Sequence, residues 1–394
     1  MNKVKRFLGM ALAALMVVSS AAGCSSSDTA SSESTGEPTF KIGGIGPVTG
    51  NTAAYGLAVQ NGAQIAVDEI NAAGGINGYQ IEFSFEDDES DAEKAVNAYN
   101  VLKDWGMQML LGTVTSAPCT AVASETDNDR MFQITPSGTA VESVQGHDNV
   151  FRVCFSDPAQ GAKSAEYIAT KGLATKIAVI YDSSDVYSSG IYSAFAAEAE
   201  NQGLEIVAAE AFTADNKTDF SVQLQKAKDS GAELVFLPIY YQEASLILAQ
   251  ADKMGFAPAW FGCDGMDGLL ALDGFDASLA EGLMFLTPFT ADAEDEETQT
   301  FVADFEEAFG DTPNQFAADA YDCIYVIKAA AEKAELTPDM DISEMCDAMK
   351  TAMTEITIDG LTGKQITWGE DGEPSKQPTV VVVEGGAYKV LQAE

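Results

Sequence analysis

Three small hydroxyl residues, Ser116, Ser137 and Thr139, follow directly on two short apolar runs and could offer donors to a small anion. Residues 109–111 read as a strand that empties into Gly112-Thr113-Val114-Thr115-Ser116-Ala117-Pro118, ahead of a helix through Ala121 to Asp127. A second short strand, 131–134, ends in Thr135-Pro136-Ser137-Gly138-Thr139. Beyond the carboxyl ends of strands in open α/β sheets, helix N-termini present free N–H groups to ligands. Pro118 suits a first helical turn, where its missing N–H costs nothing. Two such loops side by side would cradle a carboxylate. The same residues would also serve as ordinary helix caps and turns.

The elements that must position them repeat a simple rhythm. Residues 40–45 form a strand, and the loop from Gly46-Pro47 to Tyr55-Gly56 leads into a helix whose Gly62, Ile65, Ala66 and Ile70 share one face. Gly74-Gly75 stops that helix. A strand at 81–85, a helix opened by Asp91, and the hydroxyl-bearing stretch follow. Residues 151–157 then lead to a helix over 158–171, and a second unit begins with strands at 176–180, 205–208, 234–237 and 260–261. Its post-strand loops carry Tyr187, Tyr240 and Asp264. Helices over 296–309, 316–335 and 343–353 and strands at 365–368, 379–383 and 388–391 close the chain. Strands alternating with helices predict α/β architecture with mostly parallel sheets. Two such units in series predict two lobes, with the C-terminal segments crossing between them and a cleft where both present strand ends.

Composition excludes several functions. The 394 residues carry 61 acidic and 21 basic side chains, a formal charge of -40. Nucleic acid and anionic lipid both require clustered Lys and Arg. The single histidine, His147, lies in a polar turn and reads as a solvated loop residue, so a histidine-based triad or metal site has no basis. Gly44-x-Gly46 has no glycine at 49, and no Gly-Lys-Ser/Thr follows, so a nucleotide site is set aside. No cofactor and no metal are expected.

At the N-terminus, Lys3, Lys5 and Arg6 precede an apolar run over 7–18 and then Ala21-Ala22-Gly23-Cys24. This is a secretory leader over 1–23, too short to span a membrane. Cys24 sits where a bacterial lipoprotein thiol receives its lipid, and the alternative is an ordinary export signal with a free thiol. Residues 24–38 are too polar to fold and read as a tether. Of the other cysteines, Cys119, Cys154, Cys263, Cys323 and Cys346, none forms a Cys-x-x-Cys pair. Cys323 and Cys346, on neighbouring expected helices, are the first disulfide to test. The alternative is five buried thiols.

From Phe40 onward the chain resembles the leucine/isoleucine/valine-binding proteins, the amino-acid-binding components of ABC importers, of the type I periplasmic-binding-protein fold. The resemblance is carried by Gly46-Pro47 through Tyr55-Gly56, Asp68-Glu69-Ile70-Asn71-Ala72-Ala73-Gly74-Gly75-Ile76-Asn77-Gly78, and Ile134-Thr135-Pro136. Phe151-Arg152 with Asp157 and Gln160-Gly161 adds to it, as does Asp359-Gly360-Leu361-Thr362-Gly363. It implies lobes over 39–157 plus 288–362 and over 158–287 plus 363–394. It implies an α-carboxylate site on Ser116 and Thr139 with backbone near Ser137, and an α-ammonium site on Asp264, helped by the carbonyl near Ser137, Thr139 and Tyr187. Tyr55, Tyr240 and Phe316 would wall the ligand's side chain. The implied protein is a monomeric, extracytoplasmic binding protein, lipid-anchored at the outer face of the cell membrane or periplasmic, that carries a branched-chain or other apolar amino acid to a permease. The chain departs from the family at Pro118-Cys119, at Ser137-Gly138 and at Asp264, where Glu is frequent. Two other readings stand beside it: a sensor module acting through a partner, and a hydrolase using Ser116 or Ser137, which lacks a base.

Overall fold

The computed structural model describes residues 37–391. The expected leader, Cys24 and all but the last two residues of the expected tether lie outside the described residues. Among the described residues no helix is long and apolar enough to cross a membrane, and no cluster of His, Cys, Asp or Glu could hold a metal ion.

The first sheet is wholly parallel. It contains β1 (Phe40–Gly46), β2 (Ile81–Asp87), β3 (Met109–Gly112), β4 (Phe132–Thr135) and β5 (Val150–Arg152), in the order β2-β1-β3-β4-β5. β3 and β4 are buried at every position, as strands covered by helices on both faces must be. Helices α1 (Ala53–Ala72), α2 (Ala92–Trp105) and α3 (Ser116–Asp129) connect the first four strands. Asp91 caps α2 by accepting the Lys94 N–H at 2.9 Å.

The second sheet holds β6 (Lys176–Asp182), β7 (Glu205–Phe212), β8 (Leu234–Leu237), β9 (Ala259–Gly262) and β10 (Met284–Thr287), joined by β11 (Thr379–Glu384) and β12 (Ala387–Val390). Its order is β12-β11-β10-β9-β8-β6-β7. The last two strands run antiparallel, turning at Gly385-Gly386 with φ of 60° and 79°. Helices α4 (Asp157–Thr170), α5 (Val186–Gln202), α6 (Ser221–Asp229) and α7 (Tyr241–Lys253) belong to this half. Helices α8 (Glu296–Phe309), α9 (Gln315–Lys333) and α10 (Ile342–Met353) return to the first half, where α8 and α9 pack on α1 and α10 on β4 and α9.

The chain therefore passes between the halves three times: from β5 to α4, from β10 to α8 and from α10 to β11. In the third passage the strand expected over 365–368 does not form. Only single bridges occur, Ile358 with Ile366 and Trp368 with Pro374. Pro374 and Pro378 have no N–H for a ladder, and the segment bonds instead to the first passage. Trp368 Nε1 donates to the Arg152 carbonyl at 2.8 Å, and the Arg152 N–H donates to the Gly372 carbonyl at 3.1 Å. Lys376 is buried against Asp319 (Nζ to Oδ1, 2.7 Å) and the Thr362 hydroxyl (2.6 Å). Asp322 accepts the Leu361 and Thr362 N–H groups at 2.8 and 2.9 Å, fixing that turn.

α1 meets α9 at Gly62. A Cβ there would lie 2.1 Å from the Ala317 carbonyl oxygen. Overpacking against backbone costs about 1–3 kcal/mol, so Gly62→Ala is expected to lower the denaturation midpoint accordingly. An unchanged midpoint would show that the two helices do not pack this closely.

All five described cysteines are buried and unpaired, as the buried-thiol alternative has it, and Cys323 and Cys346 form no bridge. Both instead fill the apolar core shared by α9 and α10. His147 is not a free loop residue: its side chain is half-buried, with Nδ1 3.4 Å from Asp127 Oδ2.

Candidate functional site

The carboxyl edges of the two sheets face one another, and the candidate residues converge there. Ser116 opens α3. Its hydroxyl accepts the Ala140 N–H at 3.2 Å and lies 3.3 Å from the Thr139 hydroxyl. Ser116 and Thr139 are 1 % and 0 % exposed. Ser137 differs from expectation, because its hydroxyl donates to the Val114 carbonyl at 2.7 Å. That bond joins the two loops and spends the Ser137 hydroxyl proton on the protein, leaving the hydroxyl able only to accept from a ligand. Arg152, wholly buried, holds the second loop from below, donating to the Gly138 and Thr139 carbonyls at 2.9 and 2.7 Å.

Across the cleft, Asp264 follows β9 and is buried. The Tyr187 hydroxyl donates to its Oδ1 at 2.7 Å. The Asp264 N–H donates to Gln160 Oε1 at 3.0 Å, and Gln315 Nε2 donates to the Asp264 carbonyl at 2.6 Å. Burial pushes the Asp264 carboxyl up to about 6, against the opposing bonds from Tyr187, Gln160 and the Gly265 N–H. Asp157 is buried between the two sides. Its N–H donates to the Thr139 carbonyl at 2.8 Å, neither carboxylate oxygen has a hydrogen-bond partner within 3.5 Å, and burial raises its pKa well above the usual carboxylate range, with the nearby Thr139 hydroxyl and Arg152 charge opposing.

The aromatic residues close the ring. Tyr55, on α1 in the first half, donates to the Gly265 carbonyl in the second at 2.5 Å. Its ring centroid lies 4.2 Å from Phe316 and 5.7 Å from Tyr240, which stacks on Tyr187 at 4.7 Å. Tyr55 and Gln315 thus latch one half to the Asp264 turn of the other, so the cleft is closed in this structure.

Beside this ring lies a cleft of about 450 Å³, lined from both halves by residues that include Thr115, Asp185 and Tyr240. It adjoins the Ser116–Asp264 centre rather than coinciding with it, since neither Ser116 nor Asp264 lines it. Nothing in the sequence pattern alone gives Arg152, Asp157, Gln160 or Gln315 a role at this site. A charged residue amid apolar neighbours at 151–153 was the available signal for Arg152; Gln315 offered none.

This arrangement sets hydroxyls and a helix N-terminus opposite a buried carboxylate. It suits a small molecule carrying an anion at one end and a cation at the other. Comparison with known proteins agrees with the architecture. The family described as "Periplasmic binding protein" matches residues 39–387. A leucine-, isoleucine-, valine-, threonine- and alanine-binding protein of Pseudomonas aeruginosa is 31 % identical over 297 residues, covering 75 % of this chain and 79 % of its own. A Leu/Ile/Val-binding protein of Rhizobium johnstonii is 31 % identical over 356 residues, covering 90 % and 93 %. The branched-chain amino acid transporter substrate-binding protein of Streptococcus pneumoniae, solved with isoleucine, superposes with a TM-score of 0.81 at 30 % identity, over 89 % of this chain and 98 % of its own. With this fold and these relatives, the chain belongs to the periplasmic binding protein family, of the type I fold, alongside the leucine/isoleucine/valine-binding proteins.

Proposed function

We propose that this protein is the extracytoplasmic substrate-binding component of an ABC importer, closing its two lobes over an amino acid and delivering it to a permease. It acts by binding and not by catalysis. The observation that carries this reading is the opposition of Ser116 and Thr139 on one lobe to Asp264 on the other, with Tyr55 and Gln315 bridging the lobes. A ligand contacting both sides stabilises the closed form by its differential affinity for it. In this reading the carboxylate lies at Ser116 and Thr139, and the ammonium lies at Asp264, near Tyr187. Tyr55, Tyr240 and Phe316 pack on an apolar side chain, the backbone near Ser137 completes the cradle, and the lobes divide at 157/158, 287/288 and 362/363. The named ligands of the relatives support a branched-chain or other apolar amino acid. A thermal-shift screen against the common L-amino acids tests this. Binding to the folded form must raise the melting temperature by mass action; no shift with any of them at millimolar concentration contradicts the proposal.

The anchor is a separate part of the same proposal, supported by Ala21-Ala22-Gly23-Cys24. Cys24→Ala is expected to leave the protein unlipidated, either uncleaved or released to the medium. Processing and membrane retention as in the natural protein would rule the anchor out.

A further inference from the structure

The 450 Å³ cleft beside Tyr240 is not the lining a purely aliphatic side chain needs. Apolar surface is present in Ala117, Pro118, Phe212 and Ile239, but four carboxylates, Glu89, Asp182, Asp185 and Glu243, also line it. Glu89 is paired with Lys94 at 2.7 Å and Glu243 with Lys217 at 3.1 Å. Asp182 and Asp185 have no Lys, Arg or His within 4.0 Å among the described residues. Asp182 accepts from the N–H and hydroxyl of Ser184. Asp185 caps α5 by accepting the Tyr187 N–H at 3.1 Å, with the Tyr240 phenol beside it.

A second observation points independently to an occupant. Thr115 lines the same cleft and is 5 % exposed, yet its hydroxyl has no hydrogen-bond partner. A buried hydroxyl without a partner is costly unless something else supplies one. The cleft also adjoins the proposed amino-acid site. Thr115 immediately precedes Ser116, and Tyr240 stacks on Tyr187, whose hydroxyl holds Asp264. Tyr240 thus belongs both to the ring around that site and to the lining of the cleft.

The balance of charge points the same way. Asp264 and Asp185 are both held up to about 6 by burial, and one α-ammonium compensates one of these two acids. A second cation on the ligand would compensate another.

We propose that this outer cleft seats the cationic end of a ligand side chain at Asp185, so that amino acids with an aliphatic stem and a terminal ammonium or guanidinium bind more tightly than their neutral isosteres. The stem lies along the aromatic ring edges that would also hold a branched-chain side chain, and the Thr115 hydroxyl accepts a donor from the ligand. This rests on the amino-acid reading above.

The test compares L-lysine with L-norleucine, which shares the stem and lacks the ammonium, by calorimetry on the natural protein and on Asp185→Asn. Asn keeps the α5 cap, since its side-chain oxygen can accept the same N–H. The expected result is lysine binding on the order of tenfold tighter than norleucine, with most of that advantage lost in Asp185→Asn and norleucine binding unchanged. If norleucine or leucine binds and lysine is at least tenfold weaker, the outer-cleft assignment is overturned while the amino-acid function stands. If lysine's advantage survives in Asp185→Asn, Asp185 is not its partner and the assignment is likewise overturned. If no amino acid binds the natural protein, the underlying function fails as well.

Discussion

Asp264→Asn is expected to weaken amino-acid binding by about 30-fold or more with the fold intact, because losing a buried charged partner costs on the order of 2–5 kcal/mol. The amide keeps the bonds that shape the turn. Its oxygen can still accept from Tyr187, and its backbone groups still meet Gln160 and Gln315. Only the charge opposite the ligand's ammonium is lost. The same carboxyl sets a pH dependence. Its pKa is raised to about 6 by burial, and only the ionised form pairs with an ammonium. Binding therefore favours the carboxylate and, below about pH 6, must release a proton. Affinity is expected to be flat near neutrality and to fall toward tenfold per pH unit below about pH 6. The Asn variant, already weak, should show a shallower acid slope. Calorimetry from pH 5 to pH 8 on both proteins checks this. Near-natural affinity in the variant, with an unchanged melting curve, would remove Asp264 from the site.

The second large effect is expected away from the ligand. Lys376→Met should destabilise the folded chain by about 3–5 kcal/mol, the usual cost of stranding one member of a buried ion pair. Asp319 already sits up at about 6, raised by burial with Lys376 opposing, and Asp322 lies in the same buried network. The double variant Lys376→Met with Asp319→Leu should recover part of the loss, since an apolar pair removes the desolvation costs of Lys376 and Asp319 while Asp322 stays buried without the lysine's charge. Urea denaturation of the three proteins measures this. A loss below 1 kcal/mol in the single variant would mean that Lys376 is not buried against Asp319 as seen. Lys376 and Thr362 lie in the third passage between the halves, which also bonds to Arg152 at the first.

The parallel sheets were legible because their strands are short, apolar and spaced by helices with clear starts and stops. Residues 296–309 are a case in point: the helix read from the sequence coincides with α8, capped by Asp295 on the Thr298 N–H and ended at Gly310 with φ of 80°. The strand expected at 365–368 failed for a tertiary reason. Its Gln365-Ile366-Thr367-Trp368 pattern alternates as a strand should, but Trp368 is drawn to the Arg152 carbonyl of another passage. The candidate site was legible where residues follow strands. Ser116, Thr139, Tyr187 and Asp264 all do, and the structure brings them to facing edges. What could not be read is which polar groups spend their bonds on the protein. Ser137 and Ser116 look alike in sequence, yet one hydroxyl is donated to the Val114 carbonyl and the other lies 3.3 Å from Thr139. Gln315 is one residue from the expected aromatic wall at Phe316. Its role depends on the closed arrangement of the two halves, which no local pattern encodes.

The central claim is that a zwitterion is held at both ends, one on each lobe. Calorimetric titration of the purified protein at pH 7.5 with L-leucine, leucinamide and 4-methylpentanoate tests it most directly. Leucinamide lacks the carboxylate and 4-methylpentanoate lacks the ammonium, while all three share the side chain. The account predicts that leucine binds and that each analogue loses at least about tenfold, through the cradle of Ser116 and Thr139 in one case and Asp264 in the other. If 4-methylpentanoate binds as tightly as leucine, or leucinamide does, the two-ended account of this site is wrong.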